Sequence, residues 1–229
     1  MIKLSLILLL LLPSLSLGAT CTDCHASEFV NINEKVIEVA MKYKNVREKK
    51  NNNDDPKITE WLKFCYVGPG ESYCAAYTVS MYKEAFESIM LKSPFPRCAG
   101  VARFAEYCVA RPFDFKVIST KKINWGIEQP EVGDLLSWKH GSSAFTGFGY
   151  KGHQGLAISS NKNKTINTIE GNTKAGEGGD QSGAEKGNMK FGQEGVYLRT
   201  RSISINSKFP IVYYIRLNKR QYELPTSTK

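Results

Sequence analysis

The sequence predicts an α+β fold, with N-terminal helices packed on an antiparallel β-sheet. Two observations carry this. Apolar residues recur at helical spacing through the first half of the chain, and from about Phe115 short β-rich runs take over, separated by Gly, Asn and Asp. A third sets the size. With 229 residues, 41% of them hydrophobic and 23% charged, the chain can build one good-sized core, and no internal repeat interrupts it.

Residues 1–18 read as a secretory signal peptide rather than as part of the fold. Lys3 supplies a basic start, Leu4 to Leu12 form an apolar run broken only by Ser5, and Ser16-Leu17-Gly18 offers small residues at a cleavage site. The run is too short to span a bilayer, so no stable membrane insertion is expected. A lipoprotein would need a small residue just before Cys21, where Thr20 stands, so a cleaved secreted or periplasmic chain is the favoured reading. Residues 19–229 then form a single domain with its core at about 28–217. Export exposes six cysteines, at 21, 24, 65, 74, 98 and 108, to oxidation; Cys98 with Cys108 is one candidate local bridge, and the sequence leaves the connectivity open.

In chain order, Cys21-Thr22-Asp23-Cys24-His25 matches the C-x-x-C-H pattern of haem attachment. A small cytochrome builds its domain around that site, and nothing downstream does so. The pentapeptide is therefore read as a chance match or an N-terminal disulfide. Glu28 to Tyr43 predicts an amphipathic helix with Val36, Ile37, Ala40 and Met41 on one face, and Lys44 to Pro56 a polar surface loop. Ile58 to Phe64 is a short helix leading into a Gly-Pro-Gly turn. Cys74 then opens a helix that buries Ala75, Ala76, Val79 and Tyr82 on one face, and Ala99 to Val109 gives another helix. The strands are expected at Asp134–Trp138, Gly155–Ser159, Thr165–Glu170, Gly195–Thr200 and Ile211–Ile215. The polar segment from Thr173 to Gly192 reads as a loop between two strands, bordering a groove.

A thiol at a helix N-terminus feels the positive end of the helix and its unpaired N–H groups, which favour thiolate. By itself Cys74 reads as a small core residue. His153, opening one strand, and Glu170, ending the next, reverse that reading: antiparallel neighbours can set an imidazole and a carboxylate side by side. Thiol, imidazole and an orienting group together make a cysteine hydrolase.

At these residues the chain resembles the CHAP family, the cysteine- and histidine-dependent amidohydrolases/peptidases of cell-wall hydrolysis. The resemblance rests on Val46-Arg47-Glu48-Lys49 with Asn53-Asp54-Asp55-Pro56, Gly70-Glu71-Ser72-Tyr73-Cys74-Ala75-Ala76-Tyr77 and Gly133-Asp134-Leu135-Leu136. It continues in Gly152-His153-Gln154-Gly155, Ile169-Glu170-Gly171-Asn172-Thr173 and Gly195-Val196-Tyr197, so it spans about residues 45 to 200. It implies a papain-like fold and cleavage of peptidoglycan, as an N-acetylmuramoyl-L-alanine amidase or as an endopeptidase of the stem or cross-bridge. Cys74 matches the nucleophile, His153 the base, Glu170 the third member and Asn172 a further polar residue of the site. Glu170 and Asn172, two apart, should share a strand face if the strand stays regular there. Trp61, Tyr66, Tyr73, Trp138 and Tyr150 are candidate groove walls. The chain departs from the family in having Tyr73 where many members carry Trp. It also lacks the Asp-rich calcium loop of some members and any recognisable wall-binding repeat, so no metal or cofactor is expected.

The formal net charge of +9 suits an anionic partner such as a wall polymer. No Arg-rich helix, Cys/His finger or aromatic RNA-binding ribbon accompanies it, so nucleic acid is not expected. The chain is expected to act as a monomer. The rival reading is a catalytically silent wall- or partner-binding module on the same fold.

Overall fold

The computed structural model describes residues 29–119, 129–139, 152–161, 165–174, 193–202 and 211–224. The expected signal peptide, the Cys21–His25 pentapeptide, His140, Tyr150 and residues 175–192 of the expected loop lie outside the described residues.

The described residues form an α+β architecture. Strand β1 (Phe29–Asn31) precedes helices α1 (Ile32–Lys42), α2 (Pro56–Phe64), α3 (Cys74–Glu87) and α4 (Val101–Val109). Strands β2 (Phe115–Ser119), β3 (Leu135–Lys139), β4 (Gly152–Asn161), β5 (Thr165–Lys174), β6 (Glu194–Ser202), β7 (Ile211–Leu217) and β8 (Gln221–Glu223) follow. Six strands make one sheet in the order β2-β7-β3-β4-β5-β6, every neighbouring pair antiparallel, while β1 pairs with β8. None of the described helices is long and apolar enough to cross a membrane.

Local chemistry sets the helix starts. Asn31 caps α1 by accepting from the Asn33 N–H, and Asp55 caps α2 by accepting from the Lys57 N–H, with Pro56 at the first helical position. The three-residue strand β1 uses residues that periodicity assigned to α1. Its pairing with β8, made by residues nearly 200 positions later, is not a local property.

Helix α3 departs from the expected single buried face: every residue from Cys74 to Tyr82 is buried. Helices α1 and α2 pack on one side of it and β4 and β5 on the other, so it is the central helix of the main core. Trp61, Tyr73 and Tyr77 meet there, with the Trp61 ring centroid 5.1 Å from that of Tyr77 and 6.1 Å from that of Tyr73. The sheet's other face carries a smaller core of Leu136, Trp138, Ala157, Ile166 and Tyr214 with Ile118 and Ile211. Asp134, in the Gly-Asp-Leu-Leu phrase, is buried and receives the Arg216 guanidinium at 2.7 to 3.1 Å, which ties β7 to the turn before β3.

The expected Cys98–Cys108 bridge is not formed. Both thiols are free, because Cys108 points from α4 into the main core while Cys98 lies on the wall of a cavity.

Candidate active site

Cys74 is the first residue of α3, and its N-cap, Tyr73, makes no side-chain capping bond. The first-turn N–H groups and the helix dipole therefore act on the thiol region. The thiol lies on the wall of a cavity of about 1250 Å³ that His153, Trp138, Asn172 and Arg201 also line.

The strand register explains how His153 reaches it. In β4 the Gln154 side chain meets Thr78 of α3 at 2.9 Å, so alternation turns His153, Gly155 and Ala157 to the opposite face of the sheet. His153 sits at the very start of β4, beside the N-terminus of α3. A thiol from the helix layer and an imidazole from the far face thus meet at the sheet's end.

His153 Nε2–H donates to Glu170 Oε2 at 2.9 Å, in a buried contact. This commits Nε2 and leaves Nδ1 to face Cys74. Glu170 is fully buried, accepts from Arg201 Nε at 2.8 Å and from Arg201 Nη2, and accepts from the Thr168 hydroxyl. The guanidinium also lies 5.6 Å over the Trp138 ring, whose centroid is 5.6 Å from that of His153. The order of groups is Cys74, His153, Glu170, Arg201.

The electrostatics follow from this chain. Burial pushes the Cys74 thiol up, but the hydrogen bond and charge of His153, then the backbone N–H groups of Gln154 and Ala75, outweigh it and hold the thiol below its ordinary value. Burial pulls His153 down; the bonds to Cys74 and Glu170 prevail, and its pKa stands at about 9. Burial would raise Glu170, yet Arg201 and then His153 hold its carboxyl well below the usual range. Every shift favours a thiolate–imidazolium pair backed by a carboxylate.

Two glycines make room for this arrangement. A Cβ at Gly155 would lie 2.6 Å from Glu170 Cγ, and one at Gly171 would lie 2.9 Å from Tyr77 Cβ and 3.0 Å from Tyr73 Cε2. The first lets the carboxylate cross β4 to the imidazole. The second lets β5 settle onto α3 beside the nucleophile's helix turn.

Several expectations are corrected. Asn172 does not continue a regular strand from Glu170: the β5–β6 register shifts between Glu170 and Thr173, and Asn172 has φ 58°, in the left-handed region that Asn tolerates. It still lines the cavity. Trp61 and Tyr73 are not groove walls; both are buried in the main core because α2 packs on α3. Trp138 does line the cavity, Tyr150 lies outside the described residues, and Tyr66 stands on the wall 75% exposed. Thr173 and Lys174, at the start of the segment expected to border a groove, line the cavity as well.

Sequence reasoning missed Arg201 and Thr168. Thr168 carried a signal, since it shares a strand face with Glu170 two residues on. Arg201 carried none: it is paired across from Ile166 and reaches back along the sheet to Glu170. Among the described residues no group of three or more His, Cys, Asp and Glu is placed to hold a metal ion. Comparison with protein-family models, with curated proteins and with solved structures finds no match for the chain.

Proposed function

We propose that the chain is a cysteine hydrolase of papain-like architecture that cleaves amide bonds of peptidoglycan through a thioester acyl-enzyme. The observation that carries the chemistry is the buried relay in which Arg201 and Thr168 hold Glu170, Glu170 holds His153 Nε2, and Nδ1 is left to the thiol at the start of α3. The resemblance of the Cys74, His153 and Glu170 phrases to CHAP domains supports the substrate class. The cavity, at about 1250 Å³, suits a substrate of several residues.

In this reading the Cys74 thiolate attacks the scissile carbonyl, and the developing oxyanion is met by the Cys74 backbone N–H at the helix end. One such donor contributes about 3 kcal/mol to the transition state. The His153 imidazolium protonates the departing amine from Nδ1, giving the thioester. Neutral His153 then takes a proton from water, whose oxygen attacks the thioester and releases the acid. Glu170 keeps the ring oriented and stabilises its positive charge throughout. Trp138 and Asn172 line the site where the substrate would lie.

Mass spectrometry of fragments released from purified peptidoglycan tests this directly, because it names the bond. The expected outcome is a new amine and a new carboxylate at one amide, in the lactyl–alanine link or in the peptide. Cys74→Ala should lower the rate at least about a thousandfold while leaving the circular dichroism spectrum unchanged. Full binding to the wall polymer with no bond cut by the wild-type chain would instead establish the silent binding module.

A further inference from the structure

Cys65 and Cys98, which the reaction above does not use, both line the wall of the same cavity. Cys65 is the C-cap of α2, and Cys98 lies in the segment between Pro96 and Gly100. Arg97 ties the two segments together. Its Nε donates to the Phe64 carbonyl at 2.7 Å, and its guanidinium lies 4.7 Å from the Phe64 ring centroid and 3.9 Å from that of Tyr66. The residue before Cys98 is therefore clamped between the two residues that flank Cys65. Cys108 is the competing partner; both it and Cys65 are buried in the main core, but Cys65 also lines the cavity with Cys98 and Cys108 does not.

We propose that Cys65 and Cys98 form a reversible disulfide that staples the α2 end to the Pro96–Gly100 segment and fixes this wall of the cavity. The oxidant is a small-molecule disulfide. The Cys98 thiolate, on the partly exposed residue, attacks one sulfur of that disulfide and expels a thiolate, leaving Cys98 in a mixed disulfide. The Cys65 thiol loses its proton to solvent and attacks Cys98 Sγ, expelling the second thiolate. Two protein thiols are oxidised and one small disulfide is reduced to two thiols. Burial and then neighbouring Cys98 push the Cys65 thiol up to about 12. The mixed disulfide removes the Cys98 charge, so only burial then opposes the second attack. The bond would hold Tyr66, with φ 59° and its exposed ring, in place beside Arg97. A fixed wall of this kind keeps the cavity's shape from varying with the flanking turns.

The full chain, equilibrated with reduced and oxidised glutathione and alkylated without reduction, is mapped by mass spectrometry. The expected product links the peptides of Cys65 and Cys98, disappears on treatment with dithiothreitol, and leaves Cys108 alkylated only after denaturation. Oxidation should raise the thermal midpoint by about 5 °C or more, because it closes a loop in the unfolded chain. Cys98→Ser, at a partly exposed position, should fold normally and abolish that shift. A link from Cys98 to Cys108, Cys21 or Cys24, or no link at any glutathione ratio, overturns the proposal. These readouts need no wall hydrolysis, so they stand or fall separately from the catalytic reading.

Discussion

His153 is held charged up to about pH 9 while the Cys74 thiol is held below its ordinary value; their mutual contact is the leading favourable cause of both shifts, with Glu170 adding to the first and the Gln154 and Ala75 N–H groups to the second. The thiolate–imidazolium pair should therefore persist from below the ordinary thiol range to about pH 9. A profile of Cys74 alkylation rate against pH should show its thiolate limb below that of a free cysteine, and hydrolysis should fall on the alkaline side near pH 9. Glu170→Gln removes the anion that favours imidazolium. It should lower the rate roughly tenfold to a hundredfold and move the alkaline limb downward. Asn172→Ala should lower the rate without moving that limb, since the strand irregularity sets Asn172 apart from Glu170. If the Asn172 variant moves the limb and the Glu170 variant does not, the orienting role belongs to Asn172.

At the scale of elements, the site is a junction of α3, β4, β5 and β6. Helix α3 supplies the thiol, β4 the imidazole, β5 the carboxylate and β6 the guanidinium, and the register between strands decides whether they meet. Gly155 is a sensitive point of that register. Gly155→Ala places a methyl group 2.6 Å from Glu170 Cγ and 3.3 Å from Trp138 Cζ3 and the Ile169 carbonyl. We expect it to destabilise the protein by about 1–3 kcal/mol, the usual range for overpacking. It should also abolish most activity by displacing the carboxylate from His153. Urea unfolding with a parallel rate measurement checks this; full activity in a folded Gly155→Ala protein would show that the carboxylate is not needed where the structure places it.

For the whole molecule, the site's charges couple stability to pH. Glu170 titrates well below its unfolded value of 4.5, so its contribution is present above that pH and is lost as pH falls. His153 titrates at about 9 against 6.5 unfolded, so its contribution is full below 6.5 and is lost as pH rises toward 9. Glu170→Gln should flatten the acid side of the stability profile relative to the wild type, and thermal melts from pH 3 to 10 measure both limbs. Arg201→Met leaves a fully buried carboxylate with half its partners. It should cost about 2–3 kcal/mol at pH 7, less than a wholly enclosed pair because the Arg201 side chain is 20% exposed. An unchanged Arg201→Met midpoint would show that Glu170 is held by Thr168 and His153 alone.

The sequence by itself determined the helices-then-strands order, the four helices and strands β3 to β7 in outline, and which three residue types could form the relay. Those features depend on near neighbours, such as the helical apolar spacing of α3 and the short β-rich runs between Gly, Asn and Asp. Its reading of Trp61 and Tyr73 as groove walls failed because an aromatic residue's environment depends on what packs over it, and the packing of α2 on α3 buries Trp61 of the one against Tyr73 at the start of the other. The β1–β8 pair, the bend at Gly171-Asn172 and the reach of Arg201 to Glu170 were likewise invisible, since each is decided by a strand or helix distant in the chain. Tertiary structure alone brought the far-face imidazole around the sheet's end to the helix thiol, because only the sheet order and its register fix where β4 begins relative to α3.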